Sequence, residues 1–141
     1  MEEVAAYLKQ EREQEWRVAL RGQMKNKERT QLERVHMPEQ DPDKRNQDFT
    51  EVNSGLNEEQ ATTEAKRCLD CVNPTCISGC PVNINIPKFV KLIEAGKFLE
   101  SARVLKETNT LPAVCGRVCP QEVQCEQACF YTHFHQREVL L

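Results

Sequence analysis

The sequence has no long apolar run, few aromatic residues and only five glycines. None of its apolar stretches approaches the roughly 18 residues that a membrane helix requires. Aromatic residues make up 6% of the chain, and the formal net charge of −3 leaves no broad basic surface for nucleic acid. We therefore expect a cytoplasmic protein with a modest apolar core, which uses neither a membrane nor a nucleic acid as its partner.

The sequence also lacks the motif Gly-x-Gly-x-x-Gly with which a strand-to-helix turn binds a dinucleotide. It contains no recognisable flavin domain, no evident pair of nucleophile and base, and no strand-like alternation of useful length. The fold class that we expect is all-α. Chemistry on an organic substrate is not expected from these 141 residues alone.

Cysteine, by contrast, is concentrated in two short segments, which we call the first cysteine segment (68–80) and the second cysteine segment (115–129). Neither segment has enough apolar residues to offset the conformational entropy of its loops, so a bound metal must hold its shape. Each segment contains four thiols, which predicts two metal sites. The eight residues are Cys68, Cys71, Cys76 and Cys80, and Cys115, Cys119, Cys125 and Cys129.

Disulfides, zinc and iron-sulfur clusters are the three possible uses of these thiols. Disulfides need an oxidising compartment, and the acidic N-terminus, Met1 to Glu11, lacks the apolar core of a secretory signal. Zinc sites usually combine two Cys-x2-Cys pairs, whereas only Cys68 and Cys71 have that spacing here. These contexts favour iron-sulfur clusters over both alternatives.

A [4Fe-4S] cluster takes one thiolate per iron, which suits two close cysteines followed by a third, as in Cys68, Cys71 and Cys76. The pattern Cys-x3-Cys-Pro occurs twice, ending at Pro81 and Pro120. In the bacterial ferredoxin motif, the cysteine before the proline binds the other cluster. We therefore interpret the pattern as two [4Fe-4S] clusters whose ligands cross between the segments, rather than follow sequence order.

Two longer motifs that contain the cysteines resemble those of a known family. The first motif is Cys-x2-Cys-x2-Pro-x-Cys-x2-Gly-Cys-Pro-Val-x3-Ile-Pro, and the second is Leu-Pro-x-Val-Cys-Gly-Arg-Val-Cys-Pro, followed by Cys-Glu-x-Ala-Cys. Together they resemble the N-terminal cluster domain of the NADPH-dependent glutamate synthase small subunit. A similar domain occurs in dihydropyrimidine dehydrogenase and in NADPH-dependent ferredoxin oxidoreductases. The resemblance covers about residues 57–130.

The resemblance implies an α-helical ferredoxin-like domain with two [4Fe-4S] clusters that relays electrons between flavin sites. FAD, FMN and NADPH would be bound only by the parent enzyme. The implied partners are the FAD- and NADPH-binding portion of that enzyme and a flavin-bearing large subunit or another electron acceptor. The chain would then be a non-catalytic fragment of an oxidoreductase. The alternatives are a zinc-stabilised interaction module and the equivalent domain of a dihydropyrimidine dehydrogenase-like or ferredoxin-NADP oxidoreductase.

The resemblance also implies a crossed set of ligands. On this pattern the first cluster is bound by Cys68, Cys71, Cys76 and Cys129. The second cluster is bound by Cys80, Cys119 and Cys125, and its fourth ligand is a carboxylate or amide side chain farther along. Cys115 is then outside the set of direct ligands.

The tail after Cys129 is short for that fourth ligand. Its chemically able side chains are His133, His135 and Gln136, of which the histidines are alternatively solvated side chains. Glu138 is too close to Cys129 on the family pattern. Without such a ligand the second cluster would be labile, would recruit Cys115, or would be absent.

Sequence patterns also predict the elements around the cysteines. Residues 1–53 are expected to form a helical extension and linker, and residues 54–141 the cluster domain. The extension has apolar residues at multiples of four over 2–27, which favours one helix that packs on its own domain or, alternatively, docks a partner. These apolar residues are Val4, Leu8, Trp16, Leu20 and Met24.

In the cluster domain, Asn57 and Gln60 predict a capped helix leading to Cys68. Residues 85–109 predict a helical hairpin, and residues 122–130 a last helix that carries Cys125 and Cys129. The inward residues of the hairpin are expected to be Ile86, Val90, Ile93, Phe98, Ala102 and Leu105.

The basic residues Lys66, Arg67 and Arg117 flank the motifs and would either raise a cluster's potential or simply face solvent. We expect Gly79 and Gly116 to serve tight turns.

Overall fold

The computed structural model describes residues 2–134, which are helical and contain no β-strand, as an all-α fold requires. Only one isolated β-bridge occurs there, between Glu39 and Asn53. The α-helices are α1 Glu2–Arg12, α2 Glu15–Gln23, α3 Asn26–Arg29, α4 Pro42–Arg45, α5 Glu58–Ala65, α6 Thr75–Gly79, α7 Ile86–Glu94, α8 Phe98–Lys106 and α9 Pro112–Val118. Two 3-10 helices follow, Gln121–Val123 and Phe130–Phe134. Within this part of the chain, no helix has both the length and the apolar content of a membrane span.

The predicted single helix over 2–27 is wrong, because the chain breaks between α1 and α2. Gln14 has extended backbone angles, and its side chain accepts a hydrogen bond from Trp16 Nε1 at 2.7 Å. Arg21 donates to the carbonyl oxygen of Arg12 at 2.6 Å, which satisfies one of the open carbonyls at the end of α1. The break turns α2 onto the rest of the molecule.

The extension packs on its own domain, which confirms the preferred of the two interpretations. Trp16 lies against the main apolar core, and its ring faces the Lys97 ammonium at 5.7 Å. Arg17 is buried on the same helix. Val4, at the start of the apolar stripe, is instead 60% exposed, so the start of the stripe does not contribute to the core.

The linker after α3 is mainly irregular, and it contacts both α5 and the second cysteine segment. The backbone N–H of Val35 donates to the buried Glu64 carboxylate at 2.8 Å. One residue earlier, Arg34 forms an ion pair with the buried carboxylate of Glu126 at 3.3 Å. The linker therefore ties α5 to the second cysteine segment.

The capped helix α5 and the hairpin of α7 and α8 are confirmed. Asn57 and Gln60 form the reciprocal capping box, and the side chain of Asn85 caps α7. Gly96 supplies the positive φ of +71° at the hairpin turn. These two helices and α5 enclose the core.

One expected inward residue of the hairpin is wrong. Ala102 is exposed, whereas Ser101 and Val104 are buried. The Ser101 hydroxyl donates to the carbonyl oxygen of Phe89 at 3.0 Å, which fixes the rotation of α8 against α7.

The predicted helix over 122–130 is also wrong. The chain forms a 3-10 turn over Gln121–Val123 and then continues as turns to Cys129. Gln124 has φ −123° and ψ −106°, angles that no helix can continue through. Cys125 and Cys129 therefore extend from a folded loop instead of one face of a helix.

Candidate metal centre

The first two cysteines lie on a tight loop that follows α5. The backbone N–H of Cys68 donates to the carbonyl oxygen of Ala65 at 3.2 Å, where the helix ends. Asp70 then takes the left-handed conformation, with φ +51°, which aspartate tolerates better than most residues. Its side chain is fully buried and forms ion pairs with Arg17 and Arg21. These ion pairs therefore fix the loop between Cys68 and Cys71.

The other two cysteines of the first segment are placed by the short helix α6. Cys76 lies within this helix and Cys80 is its C-terminal cap. The helix contacts the second segment closely, because Gly79 lies against Gln124 and Ala128. The prediction that Gly79 serves a tight turn is therefore wrong, and this glycine instead permits close packing. Thr75 adds a hydrogen bond from its hydroxyl to the carbonyl oxygen of Ala128.

This contact brings Cys129 beside the first segment. Four cysteines line one pocket, three from the first segment and one from the second: Cys68, Cys71, Cys76 and Cys129. Ile86, Pro87 and Tyr131 contribute apolar walls, and the space free of atoms is about 460 Å³, including the open mouth. Four cysteines that line one apolar pocket are a donor set that fits a thiolate-bound iron-sulfur cluster.

Burial controls the acidity of these thiols. It raises the pKa of Cys71 to about 11, with further contributions from the charges of Cys68 and Cys129. It also raises the pKa of Cys68 and of Cys76. Because a ligating thiol must lose its proton, a bound metal has to supply the positive charge that stabilises the thiolates.

Three further cysteines, Cys80, Cys119 and Cys125, lie within electrostatic reach of one another. Burial raises the pKa of Cys125 to about 11, and the charges of Cys80 and Cys119 add to the effect. Burial, followed by the charges of Cys80 and Cys115, raises the pKa of Cys119. The thiol of Cys119 also contacts Gln124 Oε1 at 3.2 Å.

Cys115 stands apart from the pocket, on α9. Its thiol contacts Asn109 Oδ1 at 3.6 Å, which gives it a polar neighbour in the protein. Of the non-cysteine candidates, His135, Gln136 and Glu138 lie outside the described residues, as does the side chain of His133. All eight cysteines are free thiols, and the described residues contain no group of three cysteine, histidine or acidic side chains arranged around a single ion.

The basic residues that flank the motifs have different environments. Arg67 is buried, pairs with Glu64 at 2.5 Å and lies over the ring of Tyr131 at 5.2 Å. Arg117 is exposed and pairs with Glu51 at 2.6 Å, on the surface. The buried cation Lys91 was not anticipated from the sequence. Its ammonium donates to the carbonyl oxygen of Cys68 at 2.6 Å.

Comparison with known proteins identifies the family of this site. The family described as dihydropyrimidine dehydrogenase domain II, 4Fe-4S cluster, matches residues 45–140. The chain belongs to this family. It is therefore an iron-sulfur domain of the kind that transfers electrons in oxidoreductases, and the zinc alternative is not favoured.

The curated relatives agree with this assignment. The chain is 45% identical over 98 residues to the glutamate synthase [NADPH] small chain of Escherichia coli strain K12, covering 70% of this chain and 21% of that protein. It is 41% identical over 100 residues to the same enzyme of Azospirillum brasilense, covering 67% and 21%. An NAD-dependent dihydropyrimidine dehydrogenase subunit PreT homolog of Salmonella typhi is 38% identical over 79 residues, covering 56% and 19%. The chain thus spans about a fifth of the length of these relatives.

Proposed function

We propose that this chain relays single electrons inside a larger oxidoreductase of the glutamate synthase small-chain type. The donor would be a flavin of an FAD- and NADPH-binding portion, and the acceptor a second flavin, FMN, on a large subunit or another electron-accepting site. The relatives named glutamate synthase [NADPH] small chain support this choice of parent enzyme. A [4Fe-4S] cluster, when bound, would supply the reversible gain and loss of one electron.

The observation that carries the proposal is the pocket to which both cysteine segments contribute. We assign Cys68, Cys71, Cys76 and Cys129 as the ligands of a first [4Fe-4S] cluster. This assignment rests on their shared lining of one pocket and on the crossed pattern of the family resemblance. The apolar walls formed by Ile86 and Tyr131 would keep water from the sulfur atoms and limit hydrolysis of the site.

We assign Cys80, Cys119 and Cys125 to a second [4Fe-4S] cluster, with the fourth ligand outside this set. Their effects on one another's thiol pKa place these three close together, and Cys115 acts on Cys119 in the same way, so the exclusion of Cys115 rests on the family resemblance. The two groups are neighbours, since the charge of Cys125 contributes to the raised pKa of Cys76. Adjacent sites are what a relay requires, because an electron must pass from one to the other before it leaves the domain.

Anaerobic purification followed by metal and sulfide analysis tests the proposal. We expect a brown protein with about eight iron and eight sulfide per chain, because each of two cubes contributes four of each. Its visible absorption should bleach when a strong reductant such as dithionite supplies electrons, and recover on reoxidation. A colourless protein with about two zinc ions and no sulfide would contradict the electron relay.

A second parent enzyme, of the dihydropyrimidine dehydrogenase type, is supported by the family match and by one relative. The dihydropyrimidine dehydrogenase subunit homolog of Salmonella typhi has the same kind of match over a shorter region. The cluster domain would serve the same relay there, so the tests above apply unchanged. Only the sequence beyond this chain would distinguish the two parents.

A further inference from the structure

The loop that carries Cys68 and Cys71 is held by cations that come mainly from the N-terminal extension. Four arginines contact residues 66–70, and we call them the arginine clamp: Arg12, Arg17, Arg21 and Arg29. They precede residue 45, where the family match begins. The clamp therefore lies outside the part of the chain to which the family assigns a cluster.

Asp70 is the centre of one half of the clamp. Its two carboxylate oxygens pair with Arg17 and with Arg21, the latter at 2.8 Å, and its backbone carbonyl accepts from Arg12 Nε at 2.8 Å. The Asp70 side chain is fully buried, and Arg17 is 2% exposed. Buried pairs of this kind are screened much less by salt than surface pairs.

Arg29 is the other half of the clamp, and Lys91 acts beside it: they contact the backbone at Lys66 and at Cys68. Arg29 donates to the carbonyl oxygen of Lys66 at 2.5 Å and forms a two-pronged pair with Glu94 at 2.9 and 3.1 Å. Lys91 pairs with the same carboxylate at 2.5 Å and donates to the carbonyl oxygen of Cys68. Glu94 therefore serves two buried cations at once.

The charges around the loop do not cancel. The arginine clamp and Lys91 bring five cations, whereas their carboxylate partners are Asp70, Glu94 and the half-exposed Glu13.

We infer that the arginine clamp and Lys91 are positioning residues of the first cluster site, which hold its loop and raise the reduction potential of the cluster bound there. The inference rests on the proposed function, because it requires that Cys68, Cys71, Cys76 and Cys129 bind a cluster. Reduction adds one negative charge to a thiolate-bound cluster, and net charge is one of the factors that set its potential. An excess of buried and partly buried positive charge around the loop that carries two ligands therefore favours the reduced form.

The test is a set of charge-changing variants of the full chain, measured by anaerobic redox titration with an EPR readout of the reduced cluster. Lys91→Met and Arg17→Met should make the potential of the first cluster more negative. A tenfold fall in the ratio of reduced to oxidised cluster at fixed ambient potential corresponds to a shift of about 59 mV. Asp70→Asn should move the potential in the opposite direction. Lys91→Arg keeps the charge and should stay near the wild type.

Arg45→Met is the matched control, because Arg45 is an exposed arginine whose ion pair, at 3.4 Å, is with the exposed Glu39 and not with the loop 66–70. Iron and sulfide content is measured for every variant. Should Arg17→Met fail to assemble a cluster, Arg21→Met replaces it, since the Arg21 side chain is 18% exposed and its loss is milder.

The outcomes separate the two proposals. A wild-type protein without a reducible cluster overturns the proposed function itself. A wild type with a reducible cluster, combined with variant potentials that equal the Arg45→Met value, overturns only the clamp. Shifts of the same sign in Asp70→Asn and Lys91→Met would likewise overturn it, because a purely structural loop support predicts no dependence on the sign of the charge removed.

Discussion

Gly79 and Ala128 lie so close together that a Cβ atom added to Gly79 would come within 2.8 Å of the Ala128 Cβ. The same added atom would lie 2.9 Å from the carbonyl oxygen of Gln124, which is backbone and has little room to move. This contact joins the two cysteine segments. It is therefore the point at which the side chain of a single residue can disturb both groups of thiols.

We expect Gly79→Ala to destabilise the metal-loaded protein by about 1–3 kcal/mol, because overpacking at a fixed backbone forces a shift of the facing loop. Gly22→Ala is the control, since nothing lies within 4 Å of its added Cβ. In helix α2 this change should stabilise by roughly 0.5–1 kcal/mol. Anaerobic urea unfolding compares the two variants, and equal midpoints would contradict the packing role of Gly79.

The crossed set of ligands predicts which serine variants share a phenotype. Cys129→Ser should perturb the same EPR signal as Cys71→Ser, because both sulfur atoms line one pocket. Cys80→Ser should instead perturb the signal that Cys119→Ser affects. Serine keeps the size of cysteine but offers a harder oxygen, so a true ligand position should lose its cluster or change its potential.

Cys115→Ser serves as the control for that series. Its thiol contacts Asn109, an interaction that a serine hydroxyl can replace. We expect full iron content and unchanged spectra in this variant. Loss of one cluster as complete as in Cys119→Ser would show that the second site is an all-cysteine site that includes Cys115.

Removal of the metal should affect the chain unevenly. We expect the hairpin of α7 and α8 to remain partly helical after anaerobic chelation, because it has its own buried residues, including Val90 and Val104. The two cysteine segments should lose their order, since they are short of apolar contacts. Amide hydrogen exchange measures both regions in one experiment. Unchanged protection across residues 68–80 would contradict this expectation.

Tyr131 offers a test by substitution. It is 2% exposed, and its hydroxyl donates to the carbonyl oxygen of Arg67 at 2.8 Å. Tyr131→Phe removes this donor from a buried acceptor, which should cost about 1–3 kcal/mol. The unfolding midpoint at neutral pH measures the loss, and an unchanged midpoint would show that another group satisfies that carbonyl.

The same residue predicts a dependence on pH. Burial raises the pKa of Tyr131 from its ordinary value of 10.0 to about 12. Between these values the folded protein keeps the phenol proton that the unfolded chain loses, so this contribution to stability falls as the pH rises. The stability difference between wild type and Tyr131→Phe should therefore shrink from pH 9 to roughly pH 11.5. A constant difference would contradict the shift.

The elements that the sequence predicted correctly depend on signals between near neighbours. Asn57 and Gln60 satisfy each other's backbone across one turn, and Asn85 caps a helix that begins one residue later. Such bonds form in the same way whatever the rest of the fold does. The predicted helix over 122–130 failed because the backbone angles at Gln124 and close packing against Gly79 override a helical spacing of cysteines.

The buried charges could not be predicted for the opposite reason. Arginines on a helix with one apolar stripe indicate a solvated face, and the partner of Arg17 is Asp70, 53 residues away along the chain. Only the fold shows that these residues meet. The assignment of each cysteine to a cluster stays a prediction, as does the division of the chain at residue 53.

The hydrogen bonds of Arg17 and Arg29 have a consequence for domain engineering. They join residues before position 45, where the family match begins, to residues after it. The domain defined by sequence similarity therefore starts later in the chain than the unit defined by contacts in the structure. A module cut at residue 45 for grafting onto another flavoprotein would retain the buried Asp70 carboxylate but lose both of its counter-ions. A grafted domain that is meant to keep the native reduction potential of its cluster should begin before Arg12.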